Sequence, residues 1–198
     1  MEIVINEYDL KLSEIQEVSS KVRAILVDEN DNLLVANYHN VILLPGGKID
    51  KDETIFNAIN RELSEEIGQC YTEEELDFLL TLKYYQKDYP KGDNIKINRL
   101  LITHYFTGKY KEINRDFQKL TEREKNGNFK LELVPLSELE NYILNNKNDN
   151  PRNVYFQNEL LIVNSYFRCF KNNKNVKILK WVLLLFFIKL FTYILFLI

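Results

Sequence analysis

The chain has 198 residues, with 26 lysines and arginines against 29 aspartates and glutamates, for a formal net charge of −3. That length builds one substantial domain and a short appendage rather than two full domains, and the mixed, slightly acidic balance offers no general attraction for a polyanion. A nucleic-acid duplex is therefore not the expected partner, and Cys70 and Cys169, far apart and without histidine or cysteine at ligand spacing, suggest neither a disulfide framework nor a zinc site.

The N-terminus carries Glu2 and Glu7 where a secretory signal would be basic, and it lacks a long apolar run, so a cytoplasmic protein is expected. Residues 22–27 and 33–38 are aliphatic and β-branched around the turn formers Glu29, Asn30, Asp31 and Asn32, which predicts a hairpin. A third short strand over 41–44 runs into Pro45, Gly46 and Gly47, where the ladder must stop and the chain can turn tightly. Next comes a helix over 54–67: Phe56, Ile59, Leu63 and Ile67 share one stripe for packing on the sheet, and Gly68 follows as a left-handed cap. Residues 79–89 and 95–105 predict a second, longer hairpin across Pro90, Lys91, Gly92, Asp93 and Asn94. Beyond it lie a polar loop with a helical turn over 114–127, a strand over 129–134, and a helix opened by a Ser137–Glu140 capping box and running through Leu144. After an Asn-rich stretch over 145–150, Pro151 introduces a helix with Phe156, Leu160, Val163 and Phe167 on one face. The fold class is α+β, strands sandwiched between helices, with no repeat.

The chemistry concentrates in residues 47–68. On a wheel of about 100° per residue, Glu66 lies about 40° and Glu65 about 60° to either side of Glu62, so three carboxylates share a narrow arc. Like charges three and four residues apart weaken a helix by a few tenths of a kcal/mol per pair, a local cost that a bound cation would reverse. Glutamates clustered on a helix are more often solvated surface, but these follow a glycine turn able to present a carbonyl, and Arg61 stands among them to hold a carboxylate in place. Oxygen ligands without histidine or thiolate select Mg²⁺ or Mn²⁺, and Mg²⁺ shares its coordination with substrate phosphates.

Gly47, Glu53, Arg61, Glu62, Leu63, Glu65, Glu66 and Gly68 stand at the spacing of the Nudix box, and the segment resembles that family, with Gln69 departing where an aliphatic is usual. The later hairpin and Val134 to Leu139 extend the resemblance over residues 22 to about 167. It implies a Nudix-type α/β/α sandwich with a mixed sheet, and metal-dependent hydrolysis of a diphosphate bond in a nucleotide or nucleoside diphosphate derivative. It also implies that Glu62, Arg61 and Glu65 are catalytic and that Gly47, Glu62, Glu65, Glu66 and Glu53 hold Mg²⁺, or Mn²⁺, with Glu53 in a second-site or water-mediated role. Glu62 is the first choice of general base, with Glu122 and Glu124 as loop alternatives. A nucleotide-sensing module on the same fold is the competing reading, which the complete carboxylate set argues against.

Lys48 lacks the surroundings of a P-loop lysine, and the isolated His39 and His104 read as structural. Tyr84, Tyr85, Tyr89, Tyr105 and Phe106 could stack on a base, although aromatics on hairpins are more often core. The expected organisation is a Nudix domain over 1–170, a basic Asn/Lys-rich linker over 171–180 and an apolar segment over 181–198. As a helix that segment would span about 27 Å, enough for a membrane anchor with the domain on the cytoplasmic side. An interfacial or self-associating helix, a helix docked on the domain and a non-native extension are its alternatives.

Overall fold

In the computed structural model, residues 1–92, 94–146 and 151–172 are described. The chain divides into two units, Met1–Phe156 and Gln157–Ile198. The first is built on strands β1 (Glu2–Ile5), β2 (Glu17–Val27), β3 (Asn32–Tyr38), β4 (Val41–Leu43), β5 (Leu76–Gly92), β6 (Ile95–Lys109) and β7 (Lys130–Pro135), with helices α1 (Ile55–Ile67), α2 (Glu122–Asn126) and α3 (Leu139–Asn145). A further helix, α4 (Pro151–Asn172), begins in the first unit and supplies the described part of the second.

The strands form one mixed sheet in the order β1-β5-β6-β2-β3-β4, with β7 also paired to β3. β1 runs parallel to β5 and β2 parallel to β6, while the pairs β5/β6, β2/β3, β3/β4 and β3/β7 are antiparallel. Strand alternation sorts side chains onto two faces. Val22, Ala24, Leu26, Leu34 and Phe106 pack with Ala58, Ile59, Leu63 and Ile67 of α1 in one core cluster. The intervening Ile25, Leu33 and Val35 are also buried, so both faces of the sheet are covered.

Both hairpins and the third strand form as expected; β2, β5 and β6 run longer than the apolar pattern indicates, while β4 ends at Leu43, one residue short of the expected 44. β2 extends back to Glu17 because its polar first residues are held in an unbroken parallel ladder with β6. β1 was not anticipated: it is only four residues long, and its alternation buries Ile3 and Ile5 while Val4 faces solvent. The β3–β4 turn places His39 and Asn40 at φ 51 and φ 60, as a two-residue hairpin turn of the I′ type demands.

One expected start is corrected. The helix predicted from Ser137 begins at Leu139, with Glu138 at the N-cap and no side-chain cap bond. A turn precedes it in which Glu138 N–H donates to Pro135 O, and Leu136, its own N–H bonded to Asp31 O, and Leu139 are buried. Burial of the two leucines governs the turn, and the Ser137 cap is not made.

On α4, Leu160, Val163 and Phe167 are buried as the spacing predicts, and the helix continues through Asn172, past the linker boundary placed at 171. Among the described residues no helix is long and apolar enough to cross a membrane. The apolar segment over 181–198 and most of the 171–180 linker lie outside the described residues.

Candidate active site

After β4 the chain turns back along β2: Ala24 N–H donates to Pro45 O (2.9 Å), Val22 N–H to Gly47 O (2.9 Å) and Ile49 N–H to Ser20 O (3.1 Å). Gly46 takes φ +125, and a Cβ there would collide with the Val22 carbonyl, so only glycine lets the turn lie flat on the strand. The carboxylate helix follows. Thr54 caps it by accepting from Asn57 N–H (3.1 Å), and Gly68 closes it at φ 72, in the left-handed region.

The helix brings the predicted acids together against the glycine turn. Glu62 and Glu66 are buried, at 8% and 4% exposure, while Glu65 is partly exposed. Gly46 N–H donates to Glu66 Oε2 (2.7 Å). A Cβ on Gly47 would overlap the Glu62 carboxylate where it stands, so a side chain there would displace that acid.

Arg61 sits at the centre of the remaining acids. Its Nη1 donates to Glu62 Oε1 (2.9 Å) and Glu65 Oε2 (3.3 Å), and its Nη2 to Lys48 O (3.0 Å). Toward Glu53 the contact is a fork, Nε to Oε1 at 2.9 Å and Nη2 to Oε2 at 3.1 Å, the geometry that makes arginine–carboxylate pairs strong. Glu53 also accepts from Asp50 N–H (3.1 Å), so it anchors Arg61 and the loop together.

Electrostatics follow burial. The Arg61 hydrogen bonds hold the Glu53 carboxyl below its usual range. Burial pushes Glu62 upward and outweighs Arg61. It pushes Glu66 up to about 8, against the opposing pull of Arg23 and the Gly46 amide.

Among the described residues no group of three or more His, Cys, Asp or Glu side chains is arranged as a metal site. Glu62 and Glu65 are instead turned onto the same Arg61 nitrogen. The donor chemistry nevertheless fits a hard divalent ion. Those bonds use one oxygen each of Glu62, Glu65 and Glu66, and the Gly47 carbonyl, bonded once to Val22, keeps a second lone pair.

The loop acids separate. Glu122 is exposed and paired with Lys125 (2.8 Å). Glu124 accepts from Thr121 N–H (2.6 Å) and Oγ1–H (2.7 Å) in a capping box, and its charge reaches Glu66. Tyr84, Tyr89, Tyr105 and Phe106 are buried packing residues, as hairpin aromatics usually are.

A family model of the NUDIX domain matches residues 19–157. The chain belongs to the Nudix family. It is a Nudix hydrolase, and its one departure from the box is accommodated locally, since Gln69 Nε2 donates to Glu112 O (2.7 Å). Among curated proteins none matches the chain. Similar solved structures include a MutT protein from Methanosarcina mazei Go1, at 18% identity and TM-score 0.49 over 83% of this chain and 100% of that one. A MutT protein from Bacillus halodurans is similar at 21% identity and TM-score 0.45 over 62% and 72%. The NUDIX domain of Shewanella oneidensis NrtR, solved with ADP ribose, is similar at 16% identity and TM-score 0.45 over 66% and 81%.

Arg23 is the site residue that the sequence reading passed over. Buried on β2, it donates through Nη1 to Leu44 O (2.8 Å) and to Gly46 O. Its signal was a lone charge inside an otherwise apolar strand, Val22 to Val27.

Proposed function

We propose that this Nudix hydrolase cleaves a diphosphate bond in a nucleotide or nucleoside diphosphate derivative, using Mg²⁺ or Mn²⁺ held by Glu62, Glu65, Glu66 and the Gly47 carbonyl. The observation that carries this reading is the burial of Glu62 and Glu66 against the Gly46–Gly47 turn, an arrangement that costs stability unless a cation neutralises it. When bound, such an ion draws charge from the diphosphate and makes an attacking water more acidic.

The chain's own residues supply the rest. Arg61, locked by its fork to Glu53, keeps Glu62 and Glu65 at fixed positions around the site. Glu62 is the first choice to accept the proton of the attacking water, because burial has already raised its affinity for one. Glu124 is the loop alternative, and exposed Glu122 is the weaker one.

The test is a hydrolysis screen over nucleoside triphosphates, ADP-ribose, nucleotide sugars, dinucleoside polyphosphates and coenzymes, with Mg²⁺, Mn²⁺ or chelator. Turnover is expected with metal alone. E66Q should lower it by about 100-fold or more, the scale of losing one preorganised charge contact. Equal turnover by E66Q, or turnover unaffected by chelator, would refute the assignment.

A further inference from the structure

We propose that Arg23 is a positioning residue of the carboxylate site: by gathering the carbonyls of Leu44 and Gly46 it sets the turn at which the Gly46 amide meets Glu66 and the Gly47 backbone abuts the Glu62 carboxylate. The proposal rests on the reading of those acids as a cation site.

The geometry runs through five connected contacts. Arg23 lies between Val22 and Ala24, both in the core shared with α1, so its side chain leaves β2 from the opposite face. From there Nη1 holds Leu44 O and Gly46 O. On either side of it the backbone of the same strand holds the same loop, Ala24 N–H on Pro45 O and Val22 N–H on Gly47 O. The loop cannot move along β2 without breaking all of these. Gly46 N–H, on the peptide between the two anchored carbonyls' residues, is then aimed at Glu66 Oε2 (2.7 Å).

A guanidinium performs this task better than an ammonium because its donors are fixed in a plane. It also brings a permanent positive charge toward Glu62 and Glu66, which both feel it. Removing Arg23 would therefore leave buried carbonyls short of a donor and release the Gly46 peptide. Outer groups that orient metal ligands in this way are worth roughly 10- to 100-fold in metal affinity.

The experiment compares R23M and R23K with the parent chain in three readouts: Mn²⁺ titration by calorimetry, kcat and KM on whichever diphosphate substrate the screen identifies, and hydrogen exchange of the Gly46 amide. Leu101, in the β2–β6 ladder, serves as the folding control. R23M is expected to bind Mn²⁺ roughly 10- to 100-fold more weakly, to lose kcat with KM for the substrate little changed, and to lose about tenfold or more of the Gly46 protection. R23K, keeping the charge without the planar fork, should fall between. If R23M fails to fold, R23K alone decides. Parent-like Mn²⁺ affinity and Gly46 protection in a folded variant would overturn the proposal. Should the parent itself bind no Mn²⁺, the cation reading fails, and the Gly46 amide still decides whether Arg23 sets the turn.

Discussion

A methyl group at position 47 would occupy the space of the Glu62 carboxylate, so the glycine of the turn and the acid of the helix are one structural decision. Gly47→Ala should leave the fold intact, since the conflict is with a side chain that can rotate. It should nevertheless cost about 100-fold in kcat, the penalty for moving a working group by roughly an ångström. Circular dichroism and melting would confirm the fold while steady-state kinetics reads the loss; parent-like kcat would show that Glu62 need not stand where it does. At this scale the acids were legible because a helix converts spacing directly into direction: Glu62, Glu65 and Glu66 share an arc whatever surrounds them. Their partners were not. Arg23 lies more than 20 positions before Leu44 and Gly46, and only the sheet brings them together. The fork from Arg61 to Glu53, which also accepts from the Asp50 amide, is likewise a contact that spacing alone does not show.

At the scale of the element, α1 must hold its acids in place against their mutual repulsion, and its ends show how. Thr54 satisfies one orphan amide at the start, and Thr54→Ala should cost about 1 kcal/mol, the usual value of such a cap. The other end is bound more tightly to its surroundings. Asn114 N–H donates to Ile67 O (2.9 Å), Lys119 N–H to Glu65 O (2.8 Å) and Gln118 Nε2 to Glu66 O (2.6 Å), so a polar loop covers the last carbonyls of the helix. Gly68 sits under that loop at φ 72, with Asn114 O where a Cβ would go. Gly68→Ala should therefore cost more than Thr54→Ala, about 1–2 kcal/mol from conformation alone and more from the collision. Urea unfolding of the two variants checks the order, and a smaller loss at Gly68 would contradict it. The helix and its Gly68 cap were readable from local chemistry, whereas Thr54, expected as the first helical residue, is the N-cap just before it. The strap was not, because residues 114–121 carry no periodicity and acquire their position from the carbonyls they cover. The α3 start failed for the same reason: buried Leu136 and Leu139 decided where that turn closes.

For the molecule as a whole, stability against pH is the sum of groups pulling in opposite directions, and His104 can be separated from the others. It is half-buried on β6, opposite Thr81 in the ladder, with 2.9 Å between Nδ1 and Thr81 Oγ1. Burial lowers its proton affinity below the ordinary histidine value of 6.5. The unfolded chain therefore takes up its proton first as pH falls. The contribution of His104 is fully present above about 6.5 and is lost as pH drops from there toward the folded value, at no more than about 1.4 kcal/mol per pH unit, the ceiling for one proton. Glu62 and Glu66 act with the opposite sign: raised by burial, they stabilise below the ordinary carboxylate value, and the Glu66 contribution is lost as pH rises toward about 8. The parent curve mixes the two trends, whereas the difference between parent and His104→Gln cancels the carboxylates and retains the histidine. Urea unfolding in chelator at pH 7.5 and 5.5 should show acidification changing the stability of the parent less favourably than that of the variant. An identical change in both would mean that His104 takes its proton as readily in the folded sheet as in water.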